Sequence, residues 1–418
     1  MPSPEITSSP NHLIIKLDNG YNVGVKYEKG MRLEKSEKPE PEIIEEEYEY
    51  ETKEQHIKEI KEKREHPKIA ILSVGGTIAS KVDYRTGAVS AAMTAKDLTA
   101  QVPELLELAH VDMRTILEVM SEDMDHKHWQ LMAKEVAKEL NHGMYGVVIT
   151  HGTDTMHYSS AALSFMLPEL TKPVVFTGAQ RSTDRGSADS AMNLICSVIV
   201  AKGEIAEVGI CMHGEPGDTY CLFNRGTKVR KCHTSMRNTF RPINDYPLAK
   251  VWPDGKVDII NKNWKRRRKG KVKTDLKYES KVALLKAYPD SDPSILDFLV
   301  NEGFKGIVVE GTGLGHVPTQ ARLSWIPSIK AAVERGVPIV VTPQTLYGRI
   351  NPNVYTNQRI LFYEAGAIPG EDMLPETAYV KLGWVLGHTR SLKRIRRMML
   401  TNYAGEINPR LEPDMFLY

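Results

Sequence analysis

The stretch Lys68-Ile-Ala-Ile-Leu-Ser-Val74 decides the fold class, because it is a short apolar run that ends directly at Gly75-Gly76. Three further apolar runs, at 146–150, 173–177 and 208–212, also meet a glycine within two residues of their carboxyl ends. Helical patterns lie between them, at 125–140 and 158–167. Near-continuous apolar strands that alternate with helices are typical of a parallel sheet covered on both faces. The pattern therefore predicts a doubly wound α/β domain.

A second block of the same texture follows at 282–285, 306–309 and 337–342, with a helical segment at 377–386. A chain of 418 residues is long for one domain, so two cores are expected. We predict two doubly wound parallel-sheet domains, over 67–260 and 280–418. A basic linker at 261–279 is predicted to join them.

The first 66 residues are predicted to hold a β-hairpin and a charged linker. The segment His12 to Val25 has two apolar runs around Asp18-Asn19-Gly20, and an Asn-Gly pair suits a tight hairpin turn. A lone hairpin is marginal in water, so it is expected to belong to a small β-barrel whose other strands are short, missing or supplied by a partner. The acidic stretch at 40–51 and the Lys/Glu run at 53–65 offer little apolar surface.

The bulk composition is that of a globular protein, with 41% apolar and 26% charged residues. The net charge of +2 gives no global argument for nucleic acid. The four cysteines form no C-x-x-C pair, which fits a reducing compartment better than a disulfide framework. We find no secretory signal and no membrane span in the sequence, and predict a cytoplasmic protein without a membrane interaction.

The linker run Lys265-Arg-Arg-Arg-Lys-Gly-Lys271 allows two interpretations. Clustered cations bind phosphate groups and would suit RNA. A solvated, exposed linker has the same composition, and Trp264 is the one aromatic residue beside the run. The sequence alone favours the solvated linker.

Two strand ends carry the polar residues expected of an active site. The first is Gly75-Gly76-Thr77, and the second is His151-Gly152-Thr153-Asp154-Thr155 at the start of a helix. Each alone is as typical of a tight turn or a helix cap. Ligands of open α/β sheets bind beyond the carboxyl ends of the strands, and a helix N-terminus suits a developing oxyanion. Together the two loops predict a catalytic site with threonine hydroxyls at its mouth. No histidine spacing indicates a metal.

These residues resemble a known family. Gly-Gly-Thr-Ile-Ala at 75–79 and His-Gly-Thr-Asp-Thr-Met at 151–156 are similar to the two signatures of bacterial-type L-asparaginases and glutaminase-asparaginases. The likeness continues through 177–181 and 187–194 and covers roughly 67–418. It implies the asparaginase fold, threonine nucleophiles that release ammonia from a side-chain carboxamide, and sites built across a homodimer.

The resemblance also implies roles for individual residues. Thr77 would be the primary nucleophile, and the second catalytic cluster would contain Thr153, Asp154 and Lys231, with Lys228 as the alternative lysine. A threonine hydroxyl needs a nearby base or cation, and a desolvated lysine can serve.

Three further positions match the family's substrate-binding residues, namely Tyr84, Ser121 and Glu122. Many asparaginases have glutamine where Glu122 stands, and a carboxylate there suits a substrate ammonium group. The preference for glutamine or asparagine therefore stays open.

A narrower resemblance comes from the hairpin at 11–25 and from Asp372-Met-Leu-Pro-Glu376, which are similar to the D-type subunit of archaeal glutamyl-tRNA(Gln) amidotransferases. It implies a glutaminase that needs no cofactor and supplies ammonia to the E-type subunit of the same amidotransferase. That partner would use ATP and Mg²⁺ to convert Glu-tRNA(Gln) to Gln-tRNA(Gln), and the homodimer would sit within a larger hetero-oligomer.

The resemblance leaves two questions open. The family's N-terminal barrel would be cut short here, either because Met1 is internal to a longer product or because the barrel is degenerate. Two other functions are a free-standing cytosolic L-asparaginase/glutaminase and a non-catalytic binding scaffold. The full set of catalytic residue types argues against the scaffold, and the hairpin argues against the free-standing enzyme.

Overall fold

The computed structural model describes residues 66–76, 102–181 and 188–418 in full, and the backbone of four short strands at 12–16, 22–26, 80–82 and 89–91. The predicted hairpin is confirmed by the first two of these strands, β1 (His12–Lys16) and β2 (Asn22–Lys26), which pair antiparallel. The strands β4 (Ser80–Val82) and β5 (Val89–Ala91) form a second antiparallel pair. The charged stretches at 40–51 and 53–65 lie outside the described residues. No helix of the described residues is long and apolar enough to cross a membrane.

The first large domain is built on an eight-stranded sheet. Its parallel part has the order β9-β8-β7-β3-β6. These strands are β3 (Lys68–Ser73), β6 (His110–Thr115), β7 (Gly146–Thr150), β8 (Val174–Thr177) and β9 (Val208–His213). Four of them, β3 and β7 to β9, are the predicted apolar runs, and nearly all their residues are buried. β6 was not predicted, because most of its residues are partly or fully exposed at the sheet edge.

Beyond β9 the sheet turns antiparallel. The strands β10 (Cys221–Arg225), β13 (Ala249–Val251) and β14 (Val257–Ile259) extend it in that order. A separate antiparallel pair consists of β11 (Val229–Lys231) and β12 (Phe240–Pro242). Most of these strands are three residues long, which is too short for a periodic signal in the sequence. The doubly wound fold is therefore confirmed with an antiparallel edge that the sequence did not predict.

Helices cover both faces of this sheet. They are α1 (Leu105–Leu108), α2 (His126–Asn141), α3 (Met156–Met166) and α4 (Ser190–Ala201). The predicted helices at 125–140 and 158–167 correspond to α2 and α3. Helix α2 begins at a capping box, in which Asp125 accepts hydrogen bonds from the backbone N–H groups of Lys127 and His128, as expected of an Asp cap.

The second domain has a four-stranded, all-parallel sheet of order β15-β16-β17-β18. The strands are β15 (Val282–Lys286), β16 (Gly306–Gly311), β17 (Ile339–Pro343) and β18 (Ile368–Pro369). The helices are α5 (Ser294–Asn301), α6 (Ile326–Glu334), α7 (Thr356–Arg359), α8 (Pro375–Leu386) and α9 (Leu392–Met399), and a π-helical turn spans Ile360–Glu364. One apolar cluster runs through both domains, from Val147 and Phe165 to Val308 and Trp384.

The segment that joins the domains is held on the surface of the first domain. Its cationic side chains are mostly exposed, as predicted. Its backbone is bound at several points: Lys265 O accepts from Ala206 N at 2.8 Å, and Arg268 N donates to Thr171 O at 3.0 Å. Farther along, Val272 is buried and exchanges two hydrogen bonds with the Asn141 side chain. The linker is thus an ordered strap.

Candidate active site

The loops that follow β3 and β7 pack against each other at the carboxyl edge of the sheet. Gly75 and Gly76 have φ values of +113° and +85°, a region that side chains disfavour. A Cβ atom on Gly76 would lie 2.6 Å from the backbone nitrogen of Gly152. A Cβ on Gly178, after β8, would lie 2.6 Å from His151 O and 3.1 Å from Thr153 Cγ2. Glycine is therefore required for three strand-end loops to converge on Thr153.

A lysine reaches this loop from the β11–β12 pair. Lys231 Nζ lies 2.9 Å from Thr153 Oγ1 and 2.6 Å from Asp154 Oδ1. The Lys231 side chain is only 10% exposed, whereas that of Asp154 is 66% exposed. The ammonium group orients the threonine hydroxyl by donating to it, and proton transfer from that hydroxyl requires the neutral amine. The site thus has a candidate nucleophile, a candidate base and a carboxylate that holds the candidate base.

The structure places the alternative lysine elsewhere. Lys228 is fully buried and donates to Asp372 Oδ2 at 2.6 Å and to Asp372 O at 3.0 Å. Burial lowers its pKa, against the opposing effect of Asp372. The geometry favours Lys231 over Lys228 as the partner of Thr153, and its catalytic role stays a prediction.

Two of the predicted substrate-binding residues lie in the described part of the chain. Ser121 is buried beneath the Thr153 loop, and its carbonyl accepts from Thr155 Oγ1 at 2.5 Å. A Cβ on Gly152 would lie 2.8 Å from Ser121 Cβ, so the two segments are in direct contact. Glu122 is next in the same 3-10 turn and is exposed. Thr77 and Tyr84 lie outside the described residues, so their predicted roles stay predictions.

Two neutral histidines support the Thr153 loop. His151 is buried and hydrogen-bonds through its ring nitrogens to Gly152 O at 2.6 Å and Ser159 Oγ at 2.8 Å. Burial lowers its pKa to about 4. His157 is also buried, and its pKa is lowered to about 3 by burial and then by the charges of Arg230 and Lys231. Both rings are therefore uncharged at neutral pH. The His151 ring acts as a hydrogen-bonding group, whereas the buried Nδ1 of His157 has no hydrogen-bond partner among the described residues.

The second domain makes contacts with the strand that carries Lys231. The sequence analysis did not predict these contacts. Arg230 Nη2 lies 3.0 Å from Glu376 Oε1, and the Glu376 side chain is 7% exposed. Burial raises the pKa of Glu376, and the positive charge of Arg230 opposes the shift. Thr377 Oγ1 donates to Thr227 O at 2.9 Å. The signal was present in Asp372-Met-Leu-Pro-Glu376, whose two acids flank the start of α8.

The described residues contain no group of three or more His, Cys, Asp or Glu side chains that could hold a metal ion. The expectation that this chain needs no cofactor stays untested.

Three family models match the chain. They are "Asparaginase, N-terminal" over 68–265, "Glutaminase/Asparaginase C-terminal domain" over 281–399 and "GatD N-terminal domain" over 1–35. Among solved structures, the thermostable L-asparaginase from Thermococcus kodakarensis is 31% identical, with a TM-score of 0.75 over 82% of this chain and 100% of that one. The fold and the strand-end site define an enzyme of the asparaginase and glutaminase class.

Curated relatives carry a narrower name. The D-type subunit of the glutamyl-tRNA(Gln) amidotransferase from Pyrococcus abyssi is 54% identical over 420 residues, which are 100% of this chain and 92% of that protein. The Methanothermobacter thermautotrophicus counterpart is 48% identical over 400 residues, 96% of this chain and 88% of that protein. The chain belongs to the family of D-type subunits of glutamyl-tRNA(Gln) amidotransferase, and the resemblance found in the sequence is confirmed.

Proposed function

We propose that this chain hydrolyses glutamine through threonine nucleophiles and supplies the ammonia to a partner protein. The observation that carries the proposal is the contact of Lys231 Nζ with both Thr153 Oγ1 and Asp154 Oδ1 in a strand-end loop. This is the arrangement that an activated hydroxyl nucleophile requires.

The reaction follows from these groups. A threonine hydroxyl attacks the side-chain carbonyl carbon of glutamine, and its proton passes to a base while the oxyanion is stabilised by backbone N–H groups at the start of α3. Collapse of the tetrahedral intermediate breaks the C–N bond, and the amine leaves as ammonia after it takes up a proton. Water then hydrolyses the threonine ester to glutamate. Thr77 and Thr153 share the nucleophilic roles in this scheme.

The names of the relatives support the second half of the proposal. Ammonia released here would be used by the E-type subunit, which activates Glu-tRNA(Gln) with ATP and Mg²⁺ and forms Gln-tRNA(Gln). This chain would act as a homodimer within that hetero-oligomer. A cytoplasmic location follows from such a role in protein synthesis.

The test is ammonia release from glutamine and from asparagine by the full chain, alone and with the E-type subunit and Glu-tRNA(Gln). Thr153→Val and Lys231→Met are each expected to lower the rate of ammonia release at least about a thousandfold. When catalytic groups act as a unit, removing one costs about as much as removing all of them. Thr150→Val is the matched control. Thr150 is buried and lies four residues before Asp154 in the sequence. Its hydroxyl has no hydrogen-bond partner among the described residues.

Two outcomes would contradict the proposal. If a folded Thr153→Val variant released ammonia at the wild-type rate, the proposed threonine mechanism would be wrong. Efficient asparagine hydrolysis that is indifferent to the E-type subunit and tRNA would assign the chain to the free-standing asparaginases.

A further inference from the structure

A cleft of about 720 Å³ lies where the two domains and the strap meet. It is lined by the C-terminal end of α3, the strap, α8 and the loop after α9. Its cationic and aromatic lining residues are Lys265, Arg266, Arg268, Phe165, Trp384 and Tyr403. The cleft is remote from the candidate active site, because Thr153 precedes the other end of α3 and an 11-residue helix is about 16 Å long.

The strap brings a dense positive charge to this cleft. Residues 261–274 contain no acidic residue and eight cationic ones: Lys262, Lys265, Arg266, Arg267, Arg268, Lys269, Lys271 and Lys273. Within the described part of the chain, the one carboxylate that pairs with them is Glu204, 3.8 Å from Arg267. Among the described residues, the cleft is lined by a single acid, Glu169. The positive charge is therefore largely uncompensated.

The strap is also held in place by specific contacts, which a spacer between domains does not require. Arg267 is its anchor: the guanidinium lies 3.7 Å from the centre of the Tyr145 ring and donates to Gly203 O and Tyr145 O. Next to it, Arg266 lies over the Trp264 ring at 4.9 Å. Because the backbone is already ordered, a ligand that binds these cations has little chain entropy to remove.

Aromatic surface is present beside the cations. Tyr403 is 40% exposed, and its ring packs edge-on against Trp384 at 5.2 Å. Lys265 Nζ donates to Tyr403 O at 3.3 Å, so the ammonium lies at the edge of the same loop. Cationic grooves with aromatic platforms bind single-stranded nucleic acid, because phosphates pair with the cations and bases stack on the rings.

We propose that the strap and its cleft form an RNA-binding surface, which holds phosphate groups on Lys265, Arg266 and Arg268 and stacks a base on Tyr403. The volume suits one nucleotide, since pockets of about 300–1,000 Å³ accommodate ligands of that size. An acidic protein segment would also meet the charge, but it would have no use for the aromatic ring. This surface goes beyond the proposed glutaminase activity and does not depend on it.

The test is the anisotropy of a fluorescent tRNA(Gln) transcript titrated with the full chain at several KCl concentrations. The triple variant Lys265→Ser/Arg266→Ser/Arg268→Ser is expected to bind at least about tenfold more weakly at about 0.1 M salt. The slope of log Kd against log salt should fall by about 2–3, since each lost phosphate contact contributes about 0.7–0.9. Tyr403→Ala should weaken binding at least about fivefold while leaving the slope unchanged.

A charge-matched control removes three exposed lysines elsewhere, Lys127, Lys134 and Lys330. The control is expected to bind RNA as the wild type does. An unchanged affinity and slope in the triple variant, or an equal loss in the control, would overturn the proposal. Competition by polyglutamate as effective as that by unlabelled RNA of equal charge would also overturn it, in favour of an acidic protein partner. Ammonia release without RNA is expected to be normal in the triple variant. The RNA-binding measurement can therefore be interpreted even if the glutaminase assignment is wrong.

Discussion

Replacing Asp372 by asparagine removes the negative charge that faces Lys228 and keeps the size of the side chain. Lys228 is 1% exposed and Asp372 is 0% exposed, so water cannot solvate the ammonium that remains. Loss of one partner of a buried ion pair costs about 3–5 kcal/mol. We expect Asp372→Asn to lower the free energy of unfolding by about that amount at pH 7.

The loss should depend on pH in a defined direction. Burial already lowers the pKa of Lys228 from its ordinary value of 10.5, and Asp372 opposes that shift. The variant removes the opposition, so the folded protein binds fewer protons at this site than the unfolded protein does. The free energy of unfolding then rises with pH up to the unfolded pKa. The destabilisation by Asp372→Asn is therefore expected to be smaller at pH 9 than at pH 7.

The assay is urea unfolding of the full chain, followed by tryptophan fluorescence. The double variant Lys228→Met/Asp372→Asn has no buried charge at this place and keeps an acceptor for the Asn408 N–H, which lies 3.1 Å from Asp372 Oδ1. It should recover at least about 2 kcal/mol relative to the single variant. The reasoning is refuted if Asp372→Asn lies within about 1 kcal/mol of wild type, or if the double variant loses the sum of both single variants.

Two further predictions concern the Thr153 loop. The pKa of His157 is lowered from 6.5 to about 3, so its contribution to stability is complete above pH 6.5 and is lost as pH falls toward 3. His157→Phe should therefore spare about 2 kcal/mol of the loss between pH 7 and pH 5, and parallel thermal melting profiles for both proteins would contradict this. Gly152→Ala places a Cβ 2.8 Å from Ser121 Cβ and should reduce ammonia release at least about tenfold. The control is Gly217→Ala, whose new Cβ would come no closer than 3.3 Å to the flexible Glu215 carboxylate, and it should leave ammonia release unchanged. Equal rates for the two alanine variants would contradict the packing argument.

The long elements of the fold could be predicted because their signals are local. β3, β7, β8 and β9 are continuous apolar runs, and α2 and α3 have helical periodicity over more than ten residues. The antiparallel edge could not be predicted, because β13 and β14 have three residues each and depend on pairing for their definition. Hydrogen bonds to distant residues create such strands, and the sequence does not display them.

The candidate site also has parts that local sequence signals predicted and parts that depend on contacts between distant residues. The sequence predicted that the loops at 75–77 and 151–155 share one site, and the close contact of Gly76 with Gly152 agrees. The preference for Lys231 over Lys228 came from the family resemblance alone, because both lysines follow the same apolar strand. Only the folded chain shows that Lys231 faces Thr153 while Lys228 faces Asp372.

The attachment of β11 to the second domain bears on what counts as a module in this chain. The two asparaginase family models meet near the strap, at 265 and 281, and suggest halves that could be separated or exchanged. Yet Thr227, Lys228 and Arg230, just before the lysine that contacts Thr153, take their partners from Ala404, Asp372 and Glu376. A first half transplanted alone would carry the threonine and the lysine but not the groups that fix their spacing. The boundary between the two family models is therefore not a boundary between independent structural units, because the contacts that hold β11 cross it.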